Sequence, residues 1–375
     1  MTSRVDVFAK KEKRKQGDMN KVFSKRLLTA RKMSSLSMSE LANNTGISKQ
    51  AISQYEKGEM TPSSENLIRI AKALNQKIDF FFRSSNVSDM ILVGNIHFRE
   101  ENQIDQNELK EIKLKSIDFI ENYFELEKIA DNRDEFSNPI SDIHISSKSD
   151  AKLAAKKIRK KWKLGDLPLR NILSILESKG VKIVEIKATS SFNGFAAWSG
   201  QVPLIVVNIG FDEITRVRFT TLHELGHLVL QISKEIDSTE VERICDEFAS
   251  ELLLPISVLV MEIGKNRTRI SMQELIGVKE KYGISIQAIM VKLALNEIIS
   301  WTVYNKWKEH YNDLRMEDNA NFGEYIGKES SERFEQLLFK CISENKISLN
   351  KASSISKFTL PQLKVKASID NNIYM

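Results

Sequence analysis

The sequence predicts a mainly α protein in three parts. An N-terminal five-helix bundle containing a helix-turn-helix precedes an α+β domain with a small sheet, and a helical extension ends the chain. Three observations predict this class. Short helical segments with clear caps fill residues 20–83, and apolar segments suited to strands lie between residues 181 and 208. Apolar residues at helical spacing then continue from about residue 213.

The composition is that of an ordinary globular protein. The chain has 375 residues, of which 41% are hydrophobic and 28% charged, and its length suggests two or three domains. No apolar run approaches a membrane helix in length, and the charged N-terminus lacks the apolar core of a secretory signal. The two cysteines, Cys245 and Cys341, indicate no disulfide framework. We therefore expect a cytoplasmic protein that has no membrane partner.

The basic residues are concentrated at the N-terminus. Residues 1–32 hold eleven Lys or Arg against three Asp or Glu, while the whole chain has a net charge of only +6. A basic arm in front of a helical module is expected of a protein that binds a polyanion.

Two short helices joined by a glycine turn follow this arm. Ser37 and Glu40 form a capping box that begins the first helix. Gly46 lies at a turn where a positive φ is expected, and Ser48 caps a second helix that ends at Gly58. This arrangement is a helix-turn-helix. A helical protein-docking module is the alternative, but the basic arm favours DNA.

The segment Met38–Glu59, MSELANNTGISKQAISQYEKGE, closely resembles the Xre/lambda-repressor family. The resemblance makes Ser48–Lys57 the recognition helix and implies a double-stranded DNA operator as partner. It is also compatible with a homodimer. Because Ala51, Ile52 and Tyr55 pack inward, the side chains left to reach base edges or phosphates are Lys49, Gln50, Ser53 and Gln54.

An H-E-x-x-H motif lies at residues 223–227. On a helix, His223 and His227 share one face and can bind one Zn²⁺ ion. Glu224 lies over the open coordination position, where it can act as the general base for a zinc-bound water. The alternative is a buried helix that holds two histidines by chance. The apolar flanks disfavour this alternative, because burying two unligated histidines would be costly.

A third zinc ligand is expected to be a carboxylate, since no histidine follows at short spacing. Glu242, Cys245, Asp246 and Ala249 share one face of the next predicted helix. Glu242 is then the candidate ligand, and Asp246 a candidate acceptor for the N–H of a zinc-binding histidine. Cys245 could bind zinc itself, but a small buried residue is the favoured interpretation.

The segments RFTTLHELGH from Arg218 and ERICDEFASELLLP from Glu242 resemble the ImmA/IrrE family of zinc metallopeptidases. The family typically has E-x-x-A-N-x-F-A-x-x-L-L-x-P, so Cys245 and Asp246 replace Ala and Asn. The match supports Glu242 as the third ligand. It also implies a zincin-like metallopeptidase domain and a bacterial regulator, whose better-understood relatives cleave a partner repressor.

These patterns predict five segments and two functional hypotheses. The first hypothesis is a DNA-binding transcriptional regulator with endopeptidase activity, which cleaves a repressor, an antitoxin or itself. The alternative is a non-proteolytic transcription factor whose zinc domain is a sensor or dimerisation platform. The predicted segments are a basic flexible arm (1–19), the helix-turn-helix domain (20–83), a helical connector (84–149), the peptidase domain (150–300) and a helical C-terminal extension (301–375).

Overall fold

The structure is a computed structural model that describes residues 20–32, 34, 36–76, 78–82, 91–92, 105–315 and 322–369. The described residues form two compact units. The first unit contains the described residues up to Ile91, residues 105–132 and the described residues from Glu335 onward. The second unit is essentially Arg133–Phe334. Helices dominate both units, which confirms the predicted mainly α class. The arm predicted for residues 1–19 lies outside the described residues.

The N-terminal bundle begins the first unit, and its predicted caps are confirmed. Ser37 and Glu40 bond to each other's backbone N–H, and Ser48 accepts the N–H of Ala51. Gly46, at φ 68°, ends the helix before it in the left-handed region, which glycine adopts without a Cβ penalty. The helices are α1 (20–32), α2 (Met38–Thr45), α3 (Lys49–Lys57), α4 (Ser64–Ala73) and a closing 3-10 helix (Ile78–Phe82).

The bundle has an apolar core with an ion pair at its side. Phe23, Leu27 and Ile52 are fully buried within it. Arg31 of α1 reaches Glu56 of α3 through two hydrogen bonds, at 2.5 Å from Nε and 2.8 Å from Nη2. This two-bond pairing adds geometric specificity to the apolar packing and fixes α1 against α3.

Helices from later in the chain complete the first unit. Arg26 of the bundle forms a buried ion pair with Glu121 of a long helix, and Lys346 donates to the carbonyl of Ala130 at the end of that helix. The long helix therefore contacts both the bundle and the C-terminal segment. The helices are α5 (Gln106–Ala130), α14 (Arg333–Ser343), α15 (Leu349–Ile355) and α16 (Leu360–Ile369). Of α14, the residues from Glu335 onward belong to the first unit.

The second unit is an α+β domain. Its strands are β2 (His144–Ile145), β3 (Lys182–Ile186), β4 (Gly194–Ser199), β5 (Val202–Asn208) and β6 (Gln231–Ile232). Its helices are α6 (Lys148–Lys161), α7 (Ile172–Glu177), α8 (Ile214–Val229), α9 (Ser238–Leu253), α10 (Ile256–Ile263), α11 (Met272–Tyr282), α12 (Ile286–Leu295) and α13 (Trp301–Arg315). None of the helices in the described ranges is long and apolar enough to cross a bilayer.

The small sheet supports the helices that carry the predicted site. Strand β5 lies at its centre, parallel to β3 and antiparallel to β4, and the sheet order is β1–β4–β5–β3 with β1 at Ile91–Leu92. All residues of β5 are buried, as expected of a Val- and Ile-rich central strand. A separate parallel pair joins β2 to β6.

Residues 322–332, which we call the strap, cross the surface of the second unit without helix or strand. Side chains of that unit accept backbone N–H groups of the strap and of Arg333, the residue that follows it. Asn171 accepts from Ser330 at 3.1 Å, and Glu177 accepts from Glu332 at 2.8 Å and from Arg333 at 3.1 Å. One carboxylate oxygen of Glu177 therefore satisfies two neighbouring backbone N–H groups of the second unit.

Candidate metal centre

Helix α8 carries the H-E-x-x-H motif through the core of the second unit. Leu222, Leu225 and Val229 are fully buried in that core and hold the helix in place. His223 and Glu224 are also buried, with 6% and 3% of their surface exposed. Because these apolar side chains fix the rotation of α8 in the core, they also fix the direction in which the two histidines project.

Helix α9 packs closely along α8 because small residues line the contact. Cys245 and Ala249 are fully buried there, as the sequence predicted. Gly226 of α8 also lies close to α9. A Cβ on Gly226 would lie 3.2 Å from Cys245 Sγ and 3.2 Å from Phe248 Cδ1. A Cβ at position 226 would require these neighbours to shift by a few tenths of an ångström. The close approach brings the α9 carboxylates to the histidines of α8.

Three side chains converge where the two helices meet. His223 Nε2 lies 3.1 Å from His227 Nε2 and 3.0 Å from Glu242 Oε2, and His227 Nε2 lies 3.4 Å from Glu242 Oε1. These three form the group that could hold a metal ion among the described residues. Tetrahedral zinc with bonds of about 2.0–2.1 Å separates its donor atoms by about 3.3 Å. The donor types and their spacing therefore fit zinc.

The electrostatics of this group also favour a cation. Burial lowers the pKa of His223, but hydrogen bonds to Asp246 and Glu242 and the charge of Glu224 outweigh burial and raise the pKa to about 10. His223 therefore lies in a ring of carboxylates that stabilises positive charge. A bound divalent cation would supply that charge in place of a proton.

Each histidine has a partner on α9 at its other ring nitrogen. Asp246 Oδ1 lies 2.9 Å from His223 Nδ1, and Cys245 Sγ lies 3.5 Å from His227 Nδ1. The Asp246 contact has the geometry expected for a carboxylate that orients a metal-binding histidine. Burial, and then the charges of Glu242, Glu224 and Asp246, raise the pKa of the Cys245 thiol. The group of possible metal ligands among the described residues consists of His223, His227 and Glu242, without Cys245.

Glu224 lies beside strand β4 because that strand has a glycine at the point of contact. A Cβ on Gly194 would lie 3.5 Å from Glu224 Cγ, 3.1 Å from Thr220 Cγ2 and 2.7 Å from the carbonyl oxygen of Val206. The missing side chain lets α8 approach the sheet. Gly194 and Gly226 were not identified from the sequence, although the glycine inside the H-E-L-G-H segment was a visible signal.

Arg218, five residues before His223, is a further residue that sequence reasoning did not single out. It is completely buried and forms an ion pair with Glu329 of the strap. Its Nε also donates to the carbonyl of Gly283 at 3.0 Å, and its Nη2 donates to that of Leu169 at 2.7 Å. Breaking this network would leave a buried charge without compensation, so Arg218 anchors α8.

The residues predicted to contact DNA lie on α3 of the bundle. Lys49 and Gln50 are exposed, and Ser53 and Gln54 are partly exposed. Ile52 and Tyr55 point into the core. The four side chains are therefore arranged along the accessible face of the helix that follows the turn, and their roles at base edges stay predictions.

Comparisons with known proteins agree with both parts. The helix-turn-helix family model matches residues 27–81, and the IrrE N-terminal-like domain model matches residues 176–294. No curated protein matches the chain. Among solved structures, the apo form of ComR from S. thermophilus matches at 13% identity over 94% of this chain and 99% of that chain. Its TM-score of 0.17 supports no statement about fold or function.

The second match ties the candidate metal centre to a family, because it spans both α8 and α9. The first match spans α2 to α4 and most of the closing 3-10 helix. The chain is therefore a DNA-binding regulator that joins an Xre-type helix-turn-helix domain to a domain of the ImmA/IrrE metallopeptidase family.

Proposed function

We propose that this regulator is a zinc endopeptidase that cleaves a regulatory protein. The observation that supports the proposal is the convergence of His223, His227 and Glu242 beside Glu224. Structural zinc sites are usually closed by four protein ligands, whereas catalytic sites use three and leave one position open. A group of three next to a buried carboxyl therefore favours a catalytic site.

The chain's own residues account for the expected chemistry. A zinc ion held here would supply Lewis acidity, which makes water a nucleophile near neutral pH. His223 and His227 would present Nε2 to the ion, and Asp246 would hold the Nδ1–H of His223. Glu224 would accept the proton of the attacking water and donate it to the leaving amine.

The helix-turn-helix domain gives this chemistry a regulatory setting. In the proposal α3 binds the major groove of an operator through Lys49, Gln50, Ser53 and Gln54. The substrate is then a protein that acts at the same promoter: a separate repressor, an antitoxin or this chain itself. Cleavage would release the target genes.

The decisive experiment compares Glu224→Gln with the wild type. Gln keeps the size of the side chain but cannot accept the proton, so zinc content and operator binding should be retained while promoter release is abolished. Glu235→Gln makes the same change at an exposed residue and is the matched control. Release would be followed with a reporter gene, and fragments of the substrate would be mapped by mass spectrometry.

Two outcomes would contradict the proposal. Derepression by Glu224→Gln as strong as that by the wild type would show that the carboxyl is not needed. Equal fragment patterns from both proteins would show that any cleavage comes from another protease. Either result would leave the zinc domain as a sensor or dimerisation platform.

A further inference from the structure

The two histidines of the metal centre differ in what holds their outer ring nitrogen. His223 Nδ1 faces the carboxylate of Asp246, while His227 Nδ1 faces the thiol of Cys245. Both partners come from α9 and lie next to each other in sequence. Cys245 also departs from the alanine typical of the family that this segment resembles. Alanine offers no atom that could accept a hydrogen bond.

We propose that Cys245 is a positioning residue that holds the His227 imidazole with Nε2 directed at the metal. The inference rests on the metal-binding part of the proposed function, and it concerns only the orientation of His227.

The first argument is geometric. Cys245 lies three residues after Glu242, so both side chains project from the same face of α9. Its Sγ lies 3.5 Å from His227 Nδ1, on the side of the ring opposite the nitrogen that faces Glu242. The contact is within the distance expected for a hydrogen bond to sulfur.

The second argument is that the sulfur is held in place. Cys245 is completely buried. A Cβ on Gly226 would lie only 3.2 Å from Sγ and 3.4 Å from the Cys245 Cβ, so α8 packs directly on this side chain. The packing limits where the thiol can go. It therefore presents a fixed sulfur to the imidazole.

The third argument concerns the proton. A neutral imidazole that binds metal through Nε2 carries its hydrogen on Nδ1, where it needs an acceptor. Although sulfur is a weak acceptor, the Cys245 Sγ lies within hydrogen-bond distance of this nitrogen. Cys245 therefore favours the correct tautomer and the correct ring orientation.

Zinc affinity tests this role with three variants of the full chain. Zinc dissociation constants would be measured by competition with a chromophoric chelator, for the wild type and for Cys245→Ala, Cys245→Ser and Cys341→Ala. Loss of the partner of a metal-binding histidine typically weakens binding 10–100-fold, so Cys245→Ala should raise the dissociation constant by about tenfold. Cys245→Ser retains an acceptor and should stay within about threefold of the wild type. Cys341→Ala removes the other buried cysteine and should change nothing.

The NMR signal of His227 provides a readout that a general loss of packing would not mimic. In the zinc-loaded wild type, the Nδ1–H of His227 should be visible and slow to exchange with solvent. It should be lost in Cys245→Ala and retained in Cys245→Ser. Melting of the metal-free proteins would be measured in parallel, so that a folding defect in the alanine variant is recognised. If the alanine variant has such a defect, the comparison of Cys245→Ser with the wild type tests the positioning role.

The results separate this inference from the proposed function. Zinc affinity within twofold of the wild type in Cys245→Ala, or equally weak binding in the alanine and serine variants, would overturn the positioning role. Failure of the wild type itself to bind zinc would instead overturn the metal site on which the inference rests.

Discussion

Glu177 provides a prediction about stability that follows directly from its surroundings. The carboxyl is buried, with 4% of the residue exposed, and it accepts the backbone N–H groups of Glu332 and Arg333. Burial raises its pKa from the ordinary value of 4.5 to about 7, although the two N–H groups act in the opposite direction. The perturbation is Glu177→Gln, which removes the titration while keeping an oxygen for these N–H groups.

The magnitude follows from the difference between the folded and unfolded pKa. A group whose folded pKa is raised stabilises the protein fully below its unfolded pKa and loses that contribution as pH rises through the folded pKa. Each unit of difference between the folded and unfolded pKa corresponds to about 1.4 kcal/mol of folding free energy. Between pH 4.5 and pH 8 the wild type should therefore lose about 3 kcal/mol that Glu177→Gln does not lose.

Urea unfolding followed by tryptophan fluorescence is the appropriate assay. The four tryptophans are Trp162, Trp198, Trp301 and Trp307, and all of them belong to the second unit. Chelator would be present throughout, so that metal binding does not contribute. Any constant cost of the buried amide cancels, because only the pH dependence is compared. Glu309→Gln, on the exposed face of α13, is the control.

The reasoning would be refuted by a stability difference between Glu177→Gln and the wild type that stays constant between pH 4.5 and pH 8. It would also be refuted if Glu309→Gln removed the same pH dependence. In either case another group would be responsible for the titration.

Two further predictions concern the site and the DNA-binding helix. Asp246→Asn keeps an acceptor beside His223 Nδ1 but removes its charge, so zinc affinity in chelator competition should fall by about tenfold; unchanged affinity would show that the charge has no role. Lys49→Ala and Gln50→Ala should each weaken binding to a duplex selected by the wild type, by about 1–3 kcal/mol for a base contact. Fluorescence anisotropy at several salt concentrations would measure this, and unaltered binding by both variants would contradict the assignment of α3 as the recognition helix.

Signals that act over a few residues carried most of the prediction. The Ser37 and Ser48 caps and the Gly58 stop were predictable because each forms its contacts within four residues of itself. The meeting of His223 and His227 was predictable for the same reason, since the two residues lie one helical turn apart. The face of α9 that carries Glu242 followed from helical periodicity as well.

Contacts between distant segments were not predictable in this way. The ion pair of Arg218 joins residues 111 positions apart, and Glu329 lies in a segment with no periodic pattern. The contact of Cys245 with His227 depends on how closely two helices pack, and the short contacts at Gly226 belong to that packing. A sequence shows which faces are apolar, but it does not show which of them meet.

The first unit includes segments on both sides of Arg133–Phe334, the main segment of the second unit. A single cut in the strap would therefore not separate a DNA-binding fragment from the rest. Lys346 bonds to the carbonyl oxygen of Ala130 at the end of α5, and these two residues lie on opposite sides of a cut in the strap. Products of a self-cleavage in the strap would therefore be examined under denaturing conditions, and a stop codon before residue 335 would remove part of the first unit.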